Sequence, residues 1–379
     1  MLSSSLFIRL GLIGAVFVGA AKPGQAQDIP RTYPAAAPTA ADTATNDSNL
    51  RDKQQFANPS VLGMGPSKGL IVRYERTPRF GVASSAQVAG LNDFSTVATK
   101  NARLSIKGYI PAWNHPHLKV IVGLSYEREE FQFDKLPTTY ELYDNLENKG
   151  LKSTAVQVAV IRPVDAVHWY LARVKGELSG DYTSSELTRA DYSRFSAEAI
   201  YGWKRSPRFS WGLGFQYGYT FGRLSIYPAL IYNRTFNDHW GVEALAPARI
   251  TLRYNASPNS IFYAGYTVDG YNYIVHLRTA LARKNPDGTP DLNAVPLRTL
   301  ELRETEVKFR LRWEHEVFSF LWLGAEAGYR YNYAFDAFDR TNSDREKIID
   351  SRLNGAPYAS LELFITPPRK LLEKAGVRR

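Results

Sequence analysis

The chain has 379 residues, a net charge of +10, 13% aromatic residues and no cysteine. The missing thiols exclude disulfides, thiolate metal sites, a cysteine nucleophile and a lipid-anchored N-terminal cysteine. A basic balance alone would suit nucleic acid or an anionic surface, so the placement of the charges decides; the 23 Tyr and 7 Trp suit membrane–water boundaries better than a soluble interior.

Residues 1–26 read as a signal peptide. Arg9 precedes an apolar run from Leu10 to Ala21, and Gly24-Gln25-Ala26 puts small residues where a signal peptidase reads, so cleavage is expected after Ala26. About a dozen apolar residues are too few to span ~30 Å of hydrocarbon as a helix, and no later run reaches about 18. An exported chain of this kind is a soluble periplasmic or secreted protein, or a barrel. Residues 27–66, with Pro34 to Asp42 rich in Ala and Pro, lack any period and read as a disordered periplasmic linker.

From about Lys68 the pattern changes to long segments that alternate apolar with polar or small residues. They recur at 102–110, 118–131, 153–162, 168–180, 195–204, 209–220, 224–233, 249–254, 305–315, 321–333 and 358–365. In 305–315, Val307, Phe309, Leu311 and Trp313 alternate with Glu306, Lys308, Arg310, Arg312 and Glu314. A period of two sends these sets to opposite faces, whereas a helix would scatter the charges around its circumference. Soluble strands are usually about five or six residues, and tilted membrane strands about nine to eleven.

Short turns are expected at 111–117, 163–167, 206–208, 235–239, 255–259 and 318–319, and long links at 132–150, 181–192, 283–302 and 336–356. Their alternation predicts periplasmic turns and external loops. It closes at about fourteen strands if Phe221-Gly222 is a tight turn, 268–271 a bulge within one strand, and 240–245 and 248–254 two short strands joined near Pro247. If 240–254 does not fold back, or 69–77 lies outside the wall, the count is about twelve. The reading is an all-β, transmembrane antiparallel β-barrel over 67–366. A basic tail follows over 367–379, with a short helix expected over 369–376 behind Pro367-Pro368. The competing reading is a periplasmic or secreted all-β binding protein, with Leu213, Phe215, Leu311, Trp313, Leu323 and Tyr329 in a dry core.

In the barrel reading the charged set faces the lumen, because a basic residue facing lipid at mid-depth costs about 2–4 kcal/mol. The lumen-lining residues singled out are Lys308, Arg310, Arg312, Glu306, Glu314, Glu326 and Arg330. Such a face is either a salt-bridged network filling the barrel or a constriction favouring small anions. Also expected inward are Arg103, Lys107, Lys119, Glu127, Arg173, Lys175, Glu177, Glu198, Arg249, Arg253 and Glu362. None of the six histidines (115, 117, 168, 239, 276, 315) accompanies a recognisable serine motif. His115-Pro116-His117 reads as a solvated turn, so no catalytic residue, metal or cofactor is assigned. The expected partners are outer-membrane lipid, the barrel-assembly machinery and a small solute or ion, with no nucleic acid because acids and bases alternate.

One unit carries a resemblance: Trp240-Gly241-Val242-Glu243-Ala244-Leu245-Ala246-Pro247. It is reinforced by Leu252-Arg253-Tyr254-Asn255 and by Gly328-Tyr329-Arg330-Tyr331-Asn332. Across roughly 150–335 the chain resembles an uncharacterised family of outer-membrane β-barrel proteins of unknown function. The resemblance implies a barrel and the cell outer membrane, and no activity. Such barrels often end on an aromatic residue, whereas Phe364 here is followed by Ile365-Thr366 and the basic tail.

Overall fold

The computed structural model describes residues 57–367, apart from 138, 184–185, 187–189, 286, 288, 292 and 341–344. The expected signal peptide, most of the expected linker and the expected helix over 369–376 lie outside the described residues.

The first half holds β1 (Leu70–Thr77), β2 (Phe80–Ala86), β3 (Phe94–His115), β4 (Leu118–Phe133), β5 (Leu151–Pro163), β6 (His168–Gly180), β7 (Ser193–Ser206) and β8 (Phe209–Gly218). The second holds β9 (Ser225–Thr235), β10 (Trp240–Ala246), β11 (Arg249–Ser257), β12 (Ser260–Leu281), β13 (Leu297–Phe318), β14 (Leu321–Asp339), β15 (Lys347–Leu353) and β16 (Ala356–Ile365). One α-helix, α1 (Glu141–Asn148), lies between β4 and β5.

These sixteen segments form one sheet, antiparallel from β3 through β14 in chain order. Both β1 and β2 pair with β3, through Thr77↔Asn101 and Phe80↔Ala98, so they are one stave broken at Pro78, which has no N–H to give the ladder. β15 and β16 likewise share β14, through Phe335↔Ser351 and Arg330↔Ala356. With β1 on β16 and β2 on β15, the sheet closes into a ring. Sixteen segments with two broken staves make fourteen staves, within the expected range.

The rim that carries Leu70 and Ile365 has only short links, at 116–117, 164–167, 207–208, 236–239, 258–259 and 319–320. The opposite rim carries 87–93, 134–150, 181–192, 219–224, 282–296 and 340–346, while β10 and β11 turn back lower at 247–248. Several strands outrun their expected ends. β3 continues to His115, and the expected loops 283–302 and 336–356 surrender residues to β13, β14 and β15. The expected bulge at 268–271 does not form, since β12 and β13 keep one register from Ser260↔His315 to His276↔Thr299. Gly270 instead serves close approach: a Cβ there would lie 2.1 Å from the Tyr219 carbonyl oxygen.

Because β10 and β11 stop early, the upper edge of β12 meets β6 directly, with Ile274 opposite Gly180 and the Asp181 N–H donating to the Ile274 carbonyl at 3.0 Å. The outer half of the ring therefore omits β7 to β11. Its interior is apolar: Leu142, Tyr143 and Leu146 of α1 pack among Phe131, Phe133, Val275, Leu302 and Phe335. A register shift sets the boundary. Thr305 pairs with Ala334 and Glu306 with Asn332, so the extra residue Tyr333 flips the parity of β14. Below it Glu326 and Arg330 are buried on the inner face, and above it Phe335 and Ala337 are.

The outer wall is apolar. Leu311 is 68% exposed and Phe215 66%, and Leu213, Phe309 and Tyr329 are about half exposed. A dry soluble core built on these residues is overturned. A closed ring satisfies every ladder N–H and C=O without water, which is what spanning hydrocarbon demands. A closed barrel with an apolar belt is the architecture of an outer-membrane protein.

Candidate functional site: the charged lumen

A strap covers the short-turn rim. Residues 57–68 cross it, held mainly by backbone carbonyls that accept side-chain hydrogen bonds from the wall. Ser210 donates to Asn58 O (3.1 Å), Asn233 to Pro59 O (2.8 Å), Thr235 to Leu62 O (2.6 Å) and Asn255 to Gly63 O (3.0 Å). Ala57 is fully buried against Trp169, Ile200 and Ala229. The last ten residues of the expected linker thus have a bonded position: they lack apolar content for a core of their own, but inward polar residues of β8, β9 and β11 satisfy their backbone.

Behind the strap the inward charges pair with one another. Glu326 is the hub, accepting from Arg73 (2.6 Å), Arg310 (2.9 Å), Arg312 (3.4 Å) and the Tyr358 hydroxyl (2.9 Å). Arg312 also reaches Glu314 (2.8 Å) and Glu362 (2.6 Å), and Lys68 of the strap bonds both of these carboxylates. Higher up, Glu306 holds Arg103 (2.9 Å), Arg330 (2.8 Å) and Lys308 (3.2 Å), while Lys308 reaches Glu75 at 2.6 Å. Arg103 bonds Glu129 at 2.7 Å and lies 3.7 Å from Glu304. The network holds seven cations (68, 73, 103, 308, 310, 312, 330) and eight carboxylates (75, 129, 269, 304, 306, 314, 326, 362), Asp269 lying 3.7 Å from Lys308, so its formal charges cancel to within one.

All seven residues singled out from the sequence lie in this one network. Of the others expected inward, Lys107 pairs with Glu127 (2.5 Å), Arg173 with Glu198 (2.5 Å), Lys175 with Glu177 and Arg253 with Glu243 (3.0 Å). The sequence reading does not single out Lys68, Arg73, Glu75, Glu129, Asp269 and Glu304. A signal existed for two of them: Arg73 and Glu75 alternate with Val72 and Tyr74, so they share a face.

Glu129, Glu304 and Glu306 bring carboxylate oxygens within 4.8 Å of one another. The Arg103 guanidinium already supplies their positive charge. Two recesses open into the lumen among the described residues. One of about 400 Å³ sits behind the strap between Arg310, Arg312, Glu243 and Arg249, and one of about 130 Å³ sits between Arg103, Lys107, Asp269 and Lys308.

His276 on β12 lies at the β6–β12 junction, with ring nitrogens 3.7 Å from Asp181 and 3.8 Å from Asp191. At the other rim His168 meets Asp165 at 2.7 Å within a turn.

No protein-family model matches the chain, and no curated protein does. Among solved structures it is similar to a Pseudomonas aeruginosa FadL homologue, at 10% identity over 79% of this chain and 90% of that one, TM-score 0.38. It is also similar to an outer membrane channel from Pseudomonas putida F1 (10% identity, 82% and 99% coverage, TM-score 0.36). A third likeness is to the NanC porin (9% identity, 79% and 100% coverage, TM-score 0.33). Likenesses this distant do not bear on function.

Proposed function

We propose that the protein is an outer-membrane barrel that is closed at rest, a structural or gated barrel rather than a standing anion-preferring pore. One observation carries the reading: most of the lumen's cations are matched by carboxylates at hydrogen-bonding distance, leaving little field to select an anion. The apolar filling around α1 and the strap over the other rim support it. Any solute route would need one of these two to move. The reading assigns no catalysis to the chain, and it keeps the kinship with the uncharacterised barrel family that the Trp240–Pro247 unit suggests.

Planar-bilayer recording tests it. The wild type should show almost no steady conductance, and deletion of residues 57–67 should raise it. Steady wild-type conductance whose reversal potential in asymmetric salt shifts towards the anion value, and shifts less in the Arg310→Glu/Arg312→Glu variant, would establish the open anion pore instead.

A further inference from the structure

Almost all inward charges of this barrel are paired, yet one group on its outer wall is not. Arg76 and exposed Arg79 flank the break in the first stave, and Lys100 lies on β3 beside that break, between Ala98 and Asn101, whose partners are Phe80 and Thr77. Arg76 has the parity of outward Tyr74, and Thr99-Lys100 form a bulge between inward Ala98 and Asn101. None of the three side chains makes an ion pair or hydrogen bond among the described residues. Below them the same staves present Val72, Tyr74, Leu104 and Ile106, so the cations stand at the long-loop edge of the apolar belt. Long side chains there can keep their charge in the headgroup layer while their stems lie on the wall.

Arg76 also marks one end of a groove of about 900 Å³ on the same outer face. Its floor follows from the register: Arg76 pairs with Ala359, Ala359 with Ala327, Ala327 with Leu311 and Leu311 with Ala264. Ala359 and Ala327 leave a trough beside Arg76, Leu311 rises beyond it ahead of Ala264, and the next row, Leu361, Trp313 and Phe262, supplies a bulky wall. From Arg76 to Ala264 the row spans five strands, about 19 Å at the usual ~4.8 Å spacing. An apolar trough that ends at unpaired guanidinium groups fits an acyl chain with an anionic head. Arginine's planar fork matches phosphate oxygens best. A second copy of the chain would have to desolvate three like charges with nothing opposite them.

We propose that this groove binds one phosphorylated lipid of the outer leaflet, its chain on the alanine floor and its phosphate on Arg76, Arg79 and Lys100. The leaflet rests on reading the short-turn rim as periplasmic.

Native mass spectrometry of the full barrel, released from neutral detergent after mixing with lipid A or with dephosphorylated lipid A, tests this. The wild type should retain lipid A about tenfold more than the dephosphorylated form, about 1.4 kcal/mol. Arg76→Gln/Arg79→Gln/Lys100→Gln should erase that difference. Ala327→Phe/Ala359→Phe should lower retention of both lipids. Heat-modifiable gel mobility of every variant separates lost binding from lost folding. Equal retention of the two lipids by the wild type, or a difference that survives the triple substitution, would overturn the site. A phosphate preference untouched by filling the groove would overturn the chain's place in it. Recovery of the protein in the soluble periplasm would instead sink the membrane placement itself.

Discussion

Lys68 Nζ lies 2.6 Å from Glu314 and 2.7 Å from Glu362, so the last side chain of the strap ties β13 and β16 together across the short-turn rim. Both carboxylates are nearly inaccessible. Removing the ammonium leaves Arg312 as their shared partner. A hydrogen bond to a charged group contributes about 1.5–3 kcal/mol. Lys68→Met should therefore loosen the strap without unfolding the barrel. Limited proteolysis of residues 57–67 should accelerate at least tenfold, while heat-modifiable mobility is unchanged. Proteolysis at the wild-type rate would show that the carbonyl hydrogen bonds hold the strap alone.

Glu326 should be the least replaceable carboxylate in the lumen, because three guanidinium groups and the Tyr358 hydroxyl converge on it. Glu326→Leu strands buried cations, and breaking a buried pair by removing one partner costs about 3–5 kcal/mol. The urea midpoint in detergent should fall clearly, and less for Glu326→Gln, which keeps an acceptor. Equal midpoints for the wild type and Glu326→Leu would mean that solvent in the recess already screens the hub.

Adjacent residues on β13 test the two faces directly. Phe309 is 53% exposed on the outer wall, while Arg310 points inward to Glu326 at 2.9 Å. Phe309→Arg places a cation in the apolar belt at a cost of about 2–4 kcal/mol and should impair membrane insertion. Arg310→Phe should insert nearly normally, because Glu326 retains Arg73 and Arg312. If the heat-modifiable fraction is the same in both variants, the assignment of faces is wrong.

Where alternation ran unbroken, as from Glu306 to Glu314, the sequence was enough to place Lys308, Arg310 and Arg312 on one inner face. The unforeseen parts have separate physical causes. The bulge at Tyr333 reverses parity, so inward Phe335 and Ala337 continue the apolar phase of outward Tyr329 and Tyr331 and look lipid-facing from sequence. Pro78 reads as the end of a strand, which hid that Arg73 and Glu75 belong to a full-height stave closing on Glu362. The strap has no period to detect, because its wall contacts are made largely by its carbonyl groups. Glu304 lies one residue beyond the segment read as a strand from sequence.

Acid should loosen the short-turn rim at Asp165. The Asp165 carboxylate accepts from the His168 ring at 2.7 Å and from the backbone N–H groups of His168 and Val167. The ring hydrogen bond is the largest influence, followed by the two backbone bonds, and together they hold the Asp165 carboxyl at about 2. A folded-state value below the unfolded one, about 3.9 for aspartate, means that the unfolded chain binds the proton more readily. The turn's stabilisation is therefore fully present above about pH 4 and is lost as pH falls through about 2. The turn is solvent-exposed, so the effect should appear locally rather than in global unfolding. Exchange of the His168 and Val167 amides should stay slow down to about pH 4 in the wild type and accelerate below it. In Asp165→Ala, which has no carboxylate to accept these bonds, exchange should already be fast at pH 7, with no acid-dependent step beyond the intrinsic rate. A wild-type step centred near pH 4 would mean that these hydrogen bonds do not favour the charged form.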